Sequence, residues 1–200
     1  LQAMFARFDG QGIDAIARDP QALATGRQIF SNNCAVCHGS DAGGAVGFPK
    51  LNDNIWKFDG SPDGIMTTIS GGINVDGGRA SVMPPMTAVL GSDQAVLETA
   101  VYVQSLSGMP VDDSLAAAGA KYFANACAAC HGADGKGNPA LGAPNLTDSD
   151  WMYGSSLDDI KYGINNARAG QMPRHQPLIG ETQSRLVAAY VYSLSQADPK

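Results

Sequence analysis

The chain has 200 residues, 16 % of them charged, and a formal net charge of −6. An acidic surface of this kind argues against nucleic acid and against peripheral binding to anionic lipid; it suits a basic or neutral protein partner. No run of 18 apolar residues is present, so no segment reads as a membrane span.

Residues 1–19 are expected to be an N-terminal extension, or a linker from a membrane anchor upstream, because the chain opens on Leu1 with no export signal in view. A helix rich in small and aromatic residues is predicted over roughly 20–33, running into Cys34-Ala-Val-Cys37-His38. A loop rich in glycine, proline and aspartate follows at 39–54. Ser61, a capping-type residue, opens a short helix near 62–71. Met83-Pro84-Pro85-Met86 then lies in a loop ahead of an amphipathic helix over 92–106. Gly108-Met109-Pro110 ends that segment.

The same order then recurs. A helix over roughly 113–127 leads into Cys127-Ala-Ala-Cys130-His131, a loop covers 132–150, and Ser156 precedes a helix over 157–166. Gln171-Met172-Pro173 and a last helix over 181–195 complete it. In register, Gly26 meets Gly119, Phe30 meets Phe123, Trp56 meets Trp151 and Tyr102 meets Tyr190. The duplication predicts two similar domains in tandem, 20–108 and 109–200. No alternating apolar run of strand length occurs, so the fold class is all-α, helix and loop.

Each CxxCH is a covalent haem c attachment site. Two thiols three positions apart reach the two vinyl groups on one porphyrin edge, and the following histidine comes to lie under the iron as its proximal ligand. A redox CxxC pair does not need the trailing histidine, and a zinc site would need ligands converging from both copies. The two motifs use all four cysteines and two of the three histidines. Two haem c groups are therefore expected, on Cys34, Cys37 and His38 and on Cys127, Cys130 and His131. Because haem c is attached outside the bacterial cytoplasm, a periplasmic location follows from the cofactor.

Methionine sulfur is the usual sixth ligand of a six-coordinate haem c. Met172 lies 41 residues beyond His131 and 18 before Tyr190, with Pro173 fixing the backbone after it. In the first half Met83 lies 19 before Tyr102 and Met86 lies 16 before it, so the repeat favours Met83, with Met86 the alternative. Own-half ligation is the simpler expectation, and exchange of the two methionines between halves is the other. Met66 and Met152 fit core filling. His175, three residues past Met172, either sits in a solvated loop, the commoner fate, or replaces Met172 as ligand. Trp56 and Trp151 either hydrogen-bond a haem propionate or pack against the core.

The segments CAVCHGSDAGGAVGFPKLNDNIW, SVMPPM and CAACHGADGKGNPALGAPNLTDSDW resemble the periplasmic di-haem portion of the CcoP/FixP subunit of cbb3-type cytochrome c oxidases. The resemblance runs from about Ile13 to the end. It implies two tandem cytochrome c-like domains, with thioethers at Cys34, Cys37, Cys127 and Cys130, proximal His38 and His131, and distal Met83 and Met172. It also implies a redox donor, a soluble cytochrome c or the bc1 complex, and membrane oxidase subunits as acceptor. That family's membrane anchor has no counterpart in these residues. Two haems with both axial positions filled carry single electrons and leave bond chemistry to a partner. A free periplasmic di-haem shuttle is the nearest alternative. A di-haem peroxidase or a gas sensor needs one openable iron site, and methionine candidates in both halves count against both.

Overall fold

The computed structural model describes Arg7, Phe8 and residues 10–196. Helices account for its regular structure, and backbone pairing outside them is confined to isolated bridges among the described residues. The expected helices form where the sequence places their caps. Helix α2 (Pro20–Asn33) starts at Asp19, whose carboxylate accepts the amides of Gln21 and Ala22, with proline at its first position. A short α1 (Ile13–Ile16) precedes it and the single-turn α3 (Ala35–His38) follows. Ser61 accepts from Gly64 N–H at the start of α4 (Pro62–Gly71). After the short α5 (Thr87–Leu90), Ser92 accepts from Ala95 N–H to start α6 (Asp93–Leu106). Asp112 caps α7 (Asp113–Ala126), which the turn α8 (Ala128–His131) continues. Ser156 and Asp159 form a capping box on α9 (Leu157–Asn166). The short α10 (Gln176–Ile179) leads to α11 (Glu181–Gln196). No helix among the described residues is long and apolar enough to cross a membrane.

These helices assemble into two compact units that cut across the sequence repeat. A central unit is continuous, 80–170. A terminal unit combines 1–79 with 171–200. The division into 20–108 and 109–200 therefore describes the repeat and not the packed bodies. Helix α6 belongs to the first repeat, yet it pairs with α7 of the second, to which six residues join it. Helix α2 is left to pair with α11, at the far end of the chain. Gly108-Met109-Pro110, expected as a seam between domains, lies in the turn of an antiparallel helix pair inside the central unit. The N-terminal segment is also more than a linker. Phe8, Ile13 and Ile16 are buried in the core of the terminal unit, and the rest of the expected extension, residues 1–6 and Asp9, lies outside the described residues.

One contact holds each unit closed. In the terminal unit Gly26 of α2 meets α11, where a Cβ would lie 2.4 Å from Leu186 O and 2.8 Å from Tyr190 Cβ. In the central unit a Cβ on Gly119 of α7 would lie 1.9 Å from Glu98 O and 2.9 Å from Tyr102 Cβ. One turn on, aromatic rings pack across each crossing, Phe30 edge-on to Tyr190 at 5.6 Å and Tyr102 tilted against Phe123 at 5.2 Å between centroids. Glycine is required because backbone faces side chain with no room for a methyl group.

Gly119→Val should lower the stability of the haem-loaded chain by about 3 kcal/mol or more, at the top of the range for overpacking. Denaturant unfolding of the wild type and the variant checks this, and an unchanged midpoint would show that the crossing tolerates separation.

Candidate functional site

In each unit the helix before the CxxCH motif stops at the first cysteine. Cys34 N–H still bonds Phe30 O and Cys127 N–H bonds Phe123 O, each at 2.8 Å, and a further single turn carries the histidine inward. His38 N–H bonds Cys34 O at 3.0 Å and His131 N–H bonds Cys127 O at 2.9 Å. Both imidazoles are buried. Gly39 and Gly132, each at φ +81°, then turn the chain out of the helical path.

The loop that follows supplies the imidazole's partner. His38 Nδ1 lies 3.0 Å from Pro49 O, and His131 Nδ1 lies 3.0 Å from Pro144 O. A carbonyl can only accept, so Nδ1 carries the proton and Nε2 is left with its lone pair, the tautomer a metal ligand needs. The loop is fixed in matching ways. Gly44 N–H bonds His38 O at 2.8 Å where Gly137 N–H bonds His131 O at 2.7 Å. Leu51 N–H bonds Ala42 O at 2.8 Å where Leu146 N–H bonds Gly135 O at 2.7 Å. Burial holds the His38 imidazole below the usual histidine range, further favouring the neutral form.

Burial, with the neighbouring cysteine adding to it, pushes the Cys34 and Cys127 thiols up to about 11. A thiol so raised is protonated at neutral pH and a poor nucleophile, which opposes a dithiol redox role.

The methionines fall where the exchange of helices puts them. Met172 packs on the core that includes Cys34, Trp56 and Ile65, while Met83 and Met86 pack on the core with Cys127, Trp151 and Ile160. Packing therefore sets Met172 with Cys34 and Met83 with Cys127, across the sequence halves. The loop bearing each methionine directly precedes the helix of its half, so it travels with that helix into the other unit.

Backbone pairing separates Met83 from Met86. Met172 and Ile73 exchange two hydrogen bonds, Ile73 N–H to Met172 O at 2.9 Å and Met172 N–H to Ile73 O at 3.1 Å. Ile73 lies two residues past α4. Met83 makes the same pair with Arg168, two residues past α9, both bonds at 2.9 Å. Three residues on, His175 N–H bonds Ile69 O at 2.9 Å and Met86 N–H bonds Ile164 O at 2.8 Å. Met83 is therefore the structural counterpart of Met172, and Met86 that of His175.

His175 departs from the solvated position expected for it. Its amide is tied to α4, the residue is half-buried, and Nδ1 is a buried polar atom with no hydrogen-bond partner. Trp56 and Trp151 pack against the two cores. A pair of positions that the sequence reading missed is Arg79 and Arg168, each four residues before a methionine. Arg79 sits over the Phe58 ring at 5.0 Å and Arg168 over the equivalent Tyr153 ring at 4.0 Å. The repeat register carried that signal.

A buried neutral imidazole with a free Nε2, two thiols on the preceding turn and a thioether on a pinned loop fit a haem c. The cytochrome c family matches the chain twice, over 23–107 and 116–195. The chain belongs to the cytochrome c family. It is 45 % identical over 196 residues to the cbb3-type cytochrome c oxidase subunit CcoP of Rubrivivax gelatinosus, covering 98 % of this chain and 62 % of that protein. It is 43 % identical to the FixP subunit of Bradyrhizobium sp. ORS 278, covering 90 % and 64 %, and 40 % identical to that of Azorhizobium caulinodans, covering 96 % and 68 %. The resemblance to CcoP/FixP read from the motifs is borne out. The chain spans under two thirds of the length of the first two relatives.

Because the central unit is continuous, a chain of residues 80–170 should fold cooperatively and retain one covalent haem, whereas a chain of 109–200 should not. Haem staining and thermal circular dichroism of the two products check this, and stable folding of 109–200 would restore the tandem division.

Proposed function

We propose that the chain is a di-haem c-type cytochrome that carries single electrons as the electron-accepting part of a cbb3-type terminal oxidase. The observation that carries this reading is the same device in both units. A histidine with Nδ1–H held on a proline carbonyl is combined with a methionine held by two backbone hydrogen bonds. A bound haem c supplies a one-electron Fe(III)/Fe(II) couple. Cys34 and Cys37, and Cys127 and Cys130, would hold the haems as thioethers, while Nε2 of His38 and His131 and the sulfur of Met172 and Met83 would serve as iron ligands. Thioether sulfur favours the ferrous state and raises the potential.

With a histidine and a methionine offered to each haem, the chain's residues would leave no iron site for a substrate. Oxygen reduction then belongs to the membrane subunits of the oxidase, which the names of the relatives bring to this reading as electron acceptors. The donor is a soluble c-type cytochrome or the bc1 complex. The location is periplasmic, beside the membrane that holds the oxidase.

The test combines near-infrared spectroscopy of the oxidised protein with carbon monoxide addition to the reduced one. Two His–Met haems give the weak near-infrared band and no carbon monoxide shift. A high-spin or carbon monoxide-reactive haem in the wild type would overturn the carrier reading. Met172→Ala should remove about half of the band. In a chain with Cys127→Ser and Cys130→Ser, Met172→Ala should remove what band remains, while Met83→Ala should spare it; the opposite result would restore own-half ligation. Met86→Leu should leave the spectrum intact.

A further inference from the structure

The two units have near-equivalent haem sites and very different charge. The central unit holds nine acidic and four basic side chains, net −5, and the terminal unit ten and nine, net −1. The sequence halves 1–108 and 109–200 carry −4 and −2, so the separation appears only once each segment is assigned to its unit.

Two matched positions carry a cation in the terminal unit and none in the central one. Lys57 follows Trp56 where Met152 follows Trp151, and Arg174 stands two residues past Met172 where Pro85 stands two past Met83. Lys57 is half-buried, and Trp56, to which it is joined, packs on the core that includes Cys34 and Met172. Burial alone holds its ammonium below the usual lysine range, with no acidic group offsetting the cost. The central unit has cations that the terminal one lacks, Lys121 for Gln28, Lys136 for Gly43 and Lys161 for Met66; of these Lys136 and Lys161 each lie 3.6 Å from an aspartate of their own unit. The arginine over the aromatic ring is common to both units and cancels.

Reduction of a ferric haem removes one positive charge from the iron. Surrounding negative charge therefore favours the ferric form, and a nearby uncompensated cation favours the ferrous one. We infer that the terminal unit, through Lys57 and its smaller negative charge, would hold the higher-potential haem of the two.

This inference rests on the electron-carrier reading, and the experiment separates the two. An optical redox titration of the haem-loaded full chain should show two one-electron midpoints, with the near-infrared band recorded on the same samples. Lys57→Met should lower the higher midpoint and leave the lower in place, and Lys57→Arg should restore it. Met152→Lys should raise the lower midpoint and narrow the gap. If Lys57→Met moves the lower midpoint, or neither, with the band intact, the polarity is overturned while the carrier reading stands. Absence of the band in the wild type would overturn the carrier reading and this inference with it.

Discussion

The close crossing of two helices at a glycine is the contact on which the rest of the molecule depends. Gly26 against α11 and Gly119 against α6 bring backbone to side chain without an intervening Cβ, and the paired rings beside them fix the angle. Once that crossing forms, the turn after α2 or α7 points its histidine inward. The helix that closes the crossing also draws in the methionine loop directly before it. Both candidate axial ligands are thus delivered by one helix pair, and which helix closes the crossing decides which methionine arrives.

The crossing does not itself choose its partner. Gly26 and Gly119, Phe30 and Phe123, Tyr102 and Tyr190 are matched between the halves, so α6 and α11 each offer the required surface to either α2 or α7. Connection length separates the alternatives. Closing within each half spans 59 and 54 residues, whereas the observed pairing spans six and 147. Because closure entropy grows only with the logarithm of loop length, one short and one long closure are favoured over two intermediate ones by about 1 kcal/mol. The six-residue turn also places α6 and α7 side by side as an antiparallel pair, the ordinary outcome for helices joined so closely.

This explains what could be read from the residues and what could not. The helices, their caps, the cysteine–histidine turns and the methionine loops rest on local pattern, and they form at the expected positions. The proline carbonyls that receive Nδ1 were visible only as matched Pro49 and Pro144, since an accepting backbone oxygen has no residue signature. The exchange was not legible for a stronger reason. A repeat makes the two pairings nearly equal in side-chain chemistry, so pattern carries no information about which one forms. His175 was misjudged for a related reason. Its counterpart is Met86, a half-buried position, and that equivalence emerges only from the bonds to Ile69 and Ile164.

Exchange also sets the order in which the two units can be completed. Every residue of the central unit has been synthesised by Gly170, and its crossing closes over six residues. The terminal unit holds the earlier of these two CxxCH motifs, yet it lacks both Met172 and α11 until residues 171–196 become available. Domains form as their segments become available, and a chain exported to the periplasm emerges from its N-terminal side. His38 is therefore ready on α3 long before the loop that is to face it, and α2 must wait with Gly26 and Phe30 uncovered. Closure of the terminal unit then follows that of the central unit, carried out by α11, which α7, already paired with α6, can no longer take up. The early completion of the central unit removes the competing partner, which turns a preference of about 1 kcal/mol into a defined outcome.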